Sequence, residues 1–187
     1  VVVDAGHGGK DLGYVSPHLP ELNEAEVAFD VASRVEGRLN ALGVQAFLSR
    51  SRDLDGLLDE EERASFANAA KADLVVSLHA ESCSSPSACG TAAYYFGAGR
   101  SGAHSAVGEQ FAELLQEELV ARTDLVDGRA HPKTWDLLRH TTMPAVRLEM
   151  GYLSNAGDAA RLADPAFRDV VAEGVVAAVQ RLFTPAT

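Results

Sequence analysis

No stretch of this sequence approaches the ~20 apolar residues that a helix needs to span a bilayer, so no membrane-inserted helix is expected. Basic residues are also scarce, with 16 Lys and Arg against 27 Asp and Glu and a formal charge of −11. Nucleic acid and anionic membrane surfaces both reward clustered positive charge, so neither is expected as a partner. Cysteine occurs only at Cys83 and Cys89, which allows one bridge at most. Internal repeats are absent, and no linker is long enough to divide the chain. What is there is ordinary globular material: 187 residues, 47% apolar and 23% charged, enough for one domain over residues 1–187 with a substantial core.

The order of patterns is alternating strand and helix. Val1–Asp4 reads as a short apolar strand. From Glu24 to Leu42, apolar residues at Val27, Val31, Val35, Leu39 and Leu42 make a helical face, with Gly43 as its C-cap. Val44–Ser49 reads as the next strand, and Asp59 with Glu62 as a capping box opening a helix that runs through Phe66 to Lys71. Asp73–Leu78 and Thr91–Phe96 have strand length and composition. A long helix then carries Val107, Phe111, Leu114, Leu115 and Leu119 on one face, followed by a strand at Ala145–Met150. Asp164-Pro165 caps a last helix lined by Val171, Val175, Val179 and Leu182. Strands separated by helices imply an α/β fold: one domain with a central, mostly parallel sheet covered by helices on both faces.

In open α/β sheets, chemistry gathers where strands run out into loops. His7 lies in the glycine-rich run DAGHGGKDLG after the first strand, His79 closes DLVVSLHA, and Glu149 stands inside AVRLEMGYLSN near a strand's end, so all three are read at strand termini. Each histidine alone is compatible with an ordinary strand-end polar group, and Glu149 with pairing to Arg147 or Arg139. Buried charge needs a partner or a metal, and the three together, with one further acid, are the kit of a catalytic zinc with an open position. Glu21, Glu24 and Glu26, at the entry to the first long helix, are all candidates for that acid, and periodicity does not choose among them.

The blocks DAGHGGKDLG, NEAEVAFDVASRV, ERASFANAAKADLVVSLHAE and MPAVRLEMGYLSN, in this order along nearly the whole chain, resemble the zinc-dependent N-acetylmuramoyl-L-alanine amidases. These bacterial enzymes cut the lactyl–L-alanine amide of peptidoglycan in cell-wall remodelling, cell separation or recycling. The resemblance implies one zinc per chain held by His7, Glu24 and His79, with Glu149 as catalytic acid/base. It implies a peptidoglycan or muropeptide substrate, action outside the cytoplasm, and a monomer. The chain starts directly in a strand, so a signal segment removed or trimmed from view is expected. The pattern departs from the family's at Ala5, where proline is common, and at Glu81, which adds a charge two residues beyond His79. It departs again at Arg147, which alternation puts on the same face as Glu149, to pair with it or to meet a substrate carboxylate.

Other residues carry less. His131, before the Glu149 strand, is a candidate for assisting the reaction, against the simpler reading of a surface histidine. Trp135 is either a glycan-facing aromatic or a core one, and Asn68 is expected to pin neighbouring loops. Cys83 and Cys89 flank a short loop and are expected to bridge in an oxidising compartment. No surplus helix is legible between His79 and Glu149, so the groove is expected to be open. Two rivals remain: a zinc peptidase acting on wall peptides, and a non-catalytic muropeptide-binding module.

Overall fold

Alternation along the strands decides what each helix covers. The computed structural model describes residues 1–53, 58–99 and 102–184. Its elements are β1 (Val2–Ala5), α1 (Glu24–Ala41), β2 (Phe47–Leu48), α2 (Glu60–Ala69), β3 (Val75–Glu81), β4 (Thr91–Phe96), α3 (Ala106–Arg122), β5 (Asp127–Lys133), α4 (Asp136–His140), β6 (Ala145–Tyr152), α5 (Ala156–Ala163) and α6 (Pro165–Phe183). The six strands form one sheet in the order β2-β1-β3-β6-β4-β5, parallel throughout except for the antiparallel β4–β6 pair.

One face is apolar from end to end. Val3, Ala5, Val76, Leu78, Val146, Leu148 and Met150 point into a cluster with Val31 and Val35 of α1, Phe111 and Leu115 of α3, and Val171 and Val175 of α6. The residues between them point to the other face, which changes character along the strands. At the N-terminal ends, Val2, Val75 and Ala145 pack under Ala67 of α2 and Leu138 of α4. Toward the C-terminal ends the same face carries Asp4, Ser77, His79, Arg147 and Glu149, with Asp4 opposite Ser77, Ser77 opposite Arg147, and His79 opposite Glu149.

Caps place the helices. The Asn23 side chain accepts from the Glu26 amide and makes Glu24 the first residue of α1, while Asp59 and Glu62 form the expected capping box on α2. β1 and β3 are neighbours whose onward connections, to β2 and to β4, run to opposite sides of the pair, so the crevice at their C-terminal ends is a topological switch point.

Several expectations need correction. β2 pairs over only two residues. Leu42 is the C-cap of α1 and 54% exposed, and Val107 is 47% exposed because the buried residue in that first turn is Gly108. The segment between α3 and β6 holds a strand, β5, and the five-residue helix α4, where only a short connector was read. Gly128 and Pro132 hid β5; as an edge strand it tolerates a proline that a central strand would not. Glu149 lies within β6 and not at its end.

Candidate active site

The first ligand candidate is held by its backbone. His7 has φ 56°, in the left-handed region that non-glycine residues rarely enter. Two buried arginines fix it there. Arg63 donates to the His7 carbonyl (2.7 Å), the Ala5 carbonyl (2.7 Å) and the Asp4 carboxylate (2.7 Å). Arg50 donates to Ala5 O (2.9 Å), Gly6 O (3.2 Å) and Ala25 O (2.8 Å). Three successive carbonyls of the β1 exit are thereby held by charged donors, and α1 is tied to the same loop. Burial raises the Asp4 carboxyl, but Arg63 and the Ser49 and Ser77 hydroxyls outweigh it, so Asp4 titrates below the usual carboxylate range and stays charged.

Side chains then converge on one oxygen. Glu24 Oε1 lies 3.1 Å from His7 Nε2, 2.8 Å from His79 Nδ1 and 3.1 Å from the Ala80 amide. Its other oxygen accepts from the Tyr14 amide at 3.1 Å. Of the three acids that periodicity left open, Glu24 alone is buried; Glu21 is exposed, and Glu26 is exposed and pairs with Arg52. On the far side of the His7 ring, Nδ1 bonds Asp11 Oδ2 at 2.7 Å, turning Nε2 toward Glu24. Missing side chains make the convergence possible. A Cβ on Gly6 would fall 2.3 Å from the His79 ring, and one on Gly13, at φ +62°, 2.7 Å from Glu24 Oε2 and 2.8 Å from His7 Cδ2.

Protonation follows from these contacts. Burial raises Glu24, but hydrogen bonds from His7 and His79 outweigh it and drive its carboxyl far below the usual range. Burial pushes His79 down to about 4, with Arg147 adding to the fall, so its ring is neutral at pH 7. For His7 burial is outweighed by Glu24 and Asp11, and its value rises. Two imidazoles and a carboxylate within 4.8 Å of one another form a candidate metal site.

Glu149 lies beside it, opposite His79 on β6, and is completely buried. Its Oε1 accepts from Arg147 Nε at 2.7 Å, the same-face pairing that alternation predicts. Its Oε2 has no hydrogen-bond partner among the described residues. Burial pushes this carboxyl up to about 7; Arg147 opposes the rise, and Glu81 and Glu24 add to it. Arg147 lines both depressions that flank the cluster, one of about 260 Å³ beside Asp4, His7 and His79, the other of about 330 Å³ beside Glu24, Tyr14 and Glu81.

The remaining candidates fall outside this centre. His131 is exposed and bonds the Gly128 carbonyl, and Trp135 is half-buried against Tyr94. Asn68 does pin neighbouring loops, bonding His140 O, Thr142 N and Thr142 Oγ1. The expected Cys83–Cys89 bridge is not formed: both thiols are free. Hydrogen bonds hold that loop instead, from Cys83 N to Ser154 Oγ, from Asn155 Nδ2 to Pro86 O and from Gly90 N to Asp158. Asp4, Asp11, Arg50 and Arg63 were not identified from the sequence as parts of the site. For Asp11 a signal existed, an acid four residues after His7 in a glycine-rich loop; the arginines bind mostly carbonyls, which leave no trace in sequence, and the one carboxylate partner, Asp4 of Arg63, is remote in the chain. A second cluster, Glu61, Asp136 and His140, is fully exposed and includes an Arg139–Asp136 pair.

Comparison with known proteins gives the same direction. The family described as N-acetylmuramoyl-L-alanine amidase matches residues 1–181. The N-acetylmuramoyl-L-alanine amidase CwlM of Mycobacterium tuberculosis is 43% identical over 185 residues, covering 98% of this chain and 45% of that protein. The amidase LytC of Bacillus subtilis is 33% identical over 175 residues, covering 94% of this chain and 34% of LytC. The chain thus spans less than half the length of these two relatives. Among solved structures, the catalytic domain of the amidase CwlV from Bacillus (Paenibacillus) polymyxa var. colistinus superposes with a TM-score of 0.85 at 33% identity, covering 96% of this chain and 95% of that domain. AmiC2 of Nostoc punctiforme gives 0.85 at 29% identity, over 96% and 94%. With the match running through every strand of the sheet, this chain belongs to the N-acetylmuramoyl-L-alanine amidase family.

Proposed function

We propose that this chain hydrolyses the amide between the lactyl group of N-acetylmuramic acid and the L-alanine of the peptidoglycan stem, outside the cytoplasm, with one zinc held by His7, Glu24 and His79. The observation that carries it is the meeting of His7 Nε2 and His79 Nδ1 on Glu24 Oε1, beside a buried Glu149 oxygen with no partner. The donor set fits the metal. Zinc bonds of ~2.0–2.1 Å in a tetrahedron put neighbouring ligand atoms about 3.3 Å apart, close to the 3.1 and 2.8 Å separations in this cluster. The His79 ring is neutral, so a metal would have to displace only the Nδ1 proton now bonded to Glu24.

Zinc bound there supplies a Lewis acid for the scissile carbonyl and makes water more acidic. The chain's own residues do the rest. Arg147 holds Glu149 Oε1 and leaves Oε2 as the free basic atom. Oε2 takes a proton from the attacking water as its oxygen bonds the carbonyl carbon. Glu149 then returns a proton to the alanine nitrogen as the C–N bond breaks. A carboxyl pushed up to about 7 is suited to both halves of that exchange. Asp11 keeps the His7 ring turned inward, and Arg63 and Arg50 keep its loop in place.

Metal analysis of the wild type and of His79→Ala, with mass spectrometry of digested peptidoglycan, tests the proposal. The expected result is one zinc per chain, lost or strongly weakened in His79→Ala, and release of intact stem peptides beginning with L-alanine. Release of single amino acids would instead make the chain a peptidase. Zinc binding without any product would make it a muropeptide-binding module.

A further inference from the structure

On the polar face of the sheet, Arg147, which orients Glu149, also belongs to a second assembly whose other members the hydrolytic step does not use. Arg147 is opposite Tyr94, and Tyr94 is opposite His131, so the three form a row across β6, β4 and β5. Lys133 follows two residues after His131, on the same face of β5. Trp135 packs on Tyr94 with ring centroids 4.7 Å apart, and the His131 ring lies 5.9 Å from that of Tyr94. The cations stand over these rings: Arg147 Cζ is 4.7 Å from the Trp135 centroid, and Lys133 Nζ is 5.4 Å from Trp135 and 5.6 Å from Tyr94. The surface offered to a ligand is therefore positive and not bare aromatic.

Both cations keep free donors. Arg147 uses Nε on Glu149 and Nη1 on Glu60, and among the described residues Nη2 has no partner. The Lys133 carbonyl accepts from the Gly97 amide, but its Nζ makes no ion pair or hydrogen bond among the described residues. The nearby acids are already engaged: Glu60 accepts from the Leu137 amide, and Asp136 pairs with Arg139. Glu149 and Glu60 balance the Arg147 charge, so the strip's unpaired charge is the Lys133 ammonium, while the free Nη2 of Arg147 keeps a charged N–H donor for an anionic ligand.

We propose that Arg147 and Lys133, spaced by Trp135 and Tyr94, bind a carboxylate of the substrate's peptide arm. This deepens the amidase reading and rests on it for the identity of the peptide. A sugar ring would need an open aromatic face to stack on, and these faces lie under cations. A stem peptide ends in a carboxylate, which matches the charge and the free N–H donors.

Trp135 is the chain's single tryptophan, so its emission reports on this strip directly. The probes are a free stem tripeptide beginning with L-alanine, the same peptide with its carboxyls amidated, and a short oligomer of N-acetylglucosamine. The acid peptide is expected to shift the emission, and to bind more weakly as salt is raised. Lys133→Gln, at an exposed position, should weaken its binding about five-fold, the effect of one solvent-exposed ion pair, and Lys133→Arg should restore it. The amidated peptide should bind worse than the acid and be indifferent to Lys133→Gln. On intact muropeptide, Lys133→Gln should raise KM and leave kcat unchanged. Equal binding of acid and amidated peptides, equal binding by wild type and Lys133→Gln, no response to the peptide at millimolar concentration, or a response to the sugar oligomer alone would each overturn the subsite. Cleavage with Lys133-independent binding sinks the subsite and leaves hydrolysis standing. Peptide binding as described without any cleavage does the reverse.

Discussion

The two faces of this sheet are made by the same strands, residue by residue in turn, yet they obey different rules. Under α1, α3 and α6 the face is Val, Leu, Ala and Met from one end to the other, and its side chains need only fit. Under α2 and α4 it begins apolar at Val2, Val75 and Ala145 and ends in Asp4, Ser77, His79, Arg147 and Glu149, all but Arg147 nearly or wholly buried. Burial of those groups is tolerated because each charge has a hydrogen-bonded partner, with one exception, Glu149 Oε2. The lesson is that the apolar face supplies rigidity and the polar face uses it: a packed layer behind β1, β3 and β6 holds groups that would otherwise relax toward water.

The largest effect that would sharpen this contrast is at the exception. Glu149→Gln retains the shape and a hydrogen-bond acceptor for Arg147 but cannot take a proton. Loss of ~10²–10⁴-fold in release of stem peptides is expected, with the fold retained and metal content close to wild type. Near wild-type turnover would break the proposed mechanism, and loss of metal would make Glu149 a ligand and reopen the role of Glu24.

Next come two truncations of similar size and different meaning. Leu115→Ala removes buried side chain from the apolar face and should cost about 2–5 kcal/mol in urea unfolding, with metal affinity retained while the protein is folded. Arg63→Met strands Asp4 and frees the His7 carbonyl, and should cost about 3–5 kcal/mol together with a measurable loss of metal affinity. If both variants left the metal affinity of the folded protein unchanged, the arginine clamp would be no more than packing.

The pH dependence of the metal-free protein separates the charged groups of the polar site from one another. Glu149 has its folded value raised from the ordinary 4.5 to about 7, so folding favours its protonated form. Its contribution to stability is therefore full below about 4.5 and lost as pH rises through about 7, amounting to about 3 kcal/mol. Asp4 and Glu24, whose values are lowered, contribute in the opposite sense, through stability lost as pH falls below about 4. Subtracting the Glu149→Gln stability curve from that of the wild type between pH 4.5 and 7.5 isolates the first term. A flat difference would show that Glu149 is not held in a desolvated state.

The two faces also differed in how far the sequence disclosed them. The apolar face was legible because hydrophobic periodicity and strand runs report burial directly, as at Val27, Val31 and Val35 or in DLVVSL. His7, His79 and Glu149 stood out as polar groups against that background. Choosing Glu24 over Glu21 and Glu26 required the family resemblance or the structure, because all three fit a helix entry. Arg50 and Arg63 were illegible: apart from the Arg63–Asp4 pair, 59 residues apart in sequence, their partners are carbonyls, which every residue carries. β5 was hidden by Gly128 and Pro132, whose acceptability depends on a place at the sheet edge that only the tertiary structure assigns.

The smallest expected effect tests whether the polar face extends to its exposed rim. Asp11 is 49% exposed on its side chain, and it would pass for a loop residue but for its 2.7 Å bond to His7 Nδ1. That bond fixes which ring nitrogen turns inward, while Asp11 Oδ1 accepts from the Gly13 amide and shapes the loop beneath Glu24. A carboxylate in this position both orients a ligand imidazole and raises its basicity. Asp11→Ala should therefore weaken zinc about 10–100-fold in chelator competition, with little change in urea unfolding because the side chain packs against little. Asp136→Ala is the control, an acid with a 51% exposed side chain that faces the exposed His140 and not the cluster, and it should leave zinc affinity unchanged. Equal affinities in the two variants would confine the working part of the polar face to its buried groups and make the His7–Asp11 bond a surface contact without consequence.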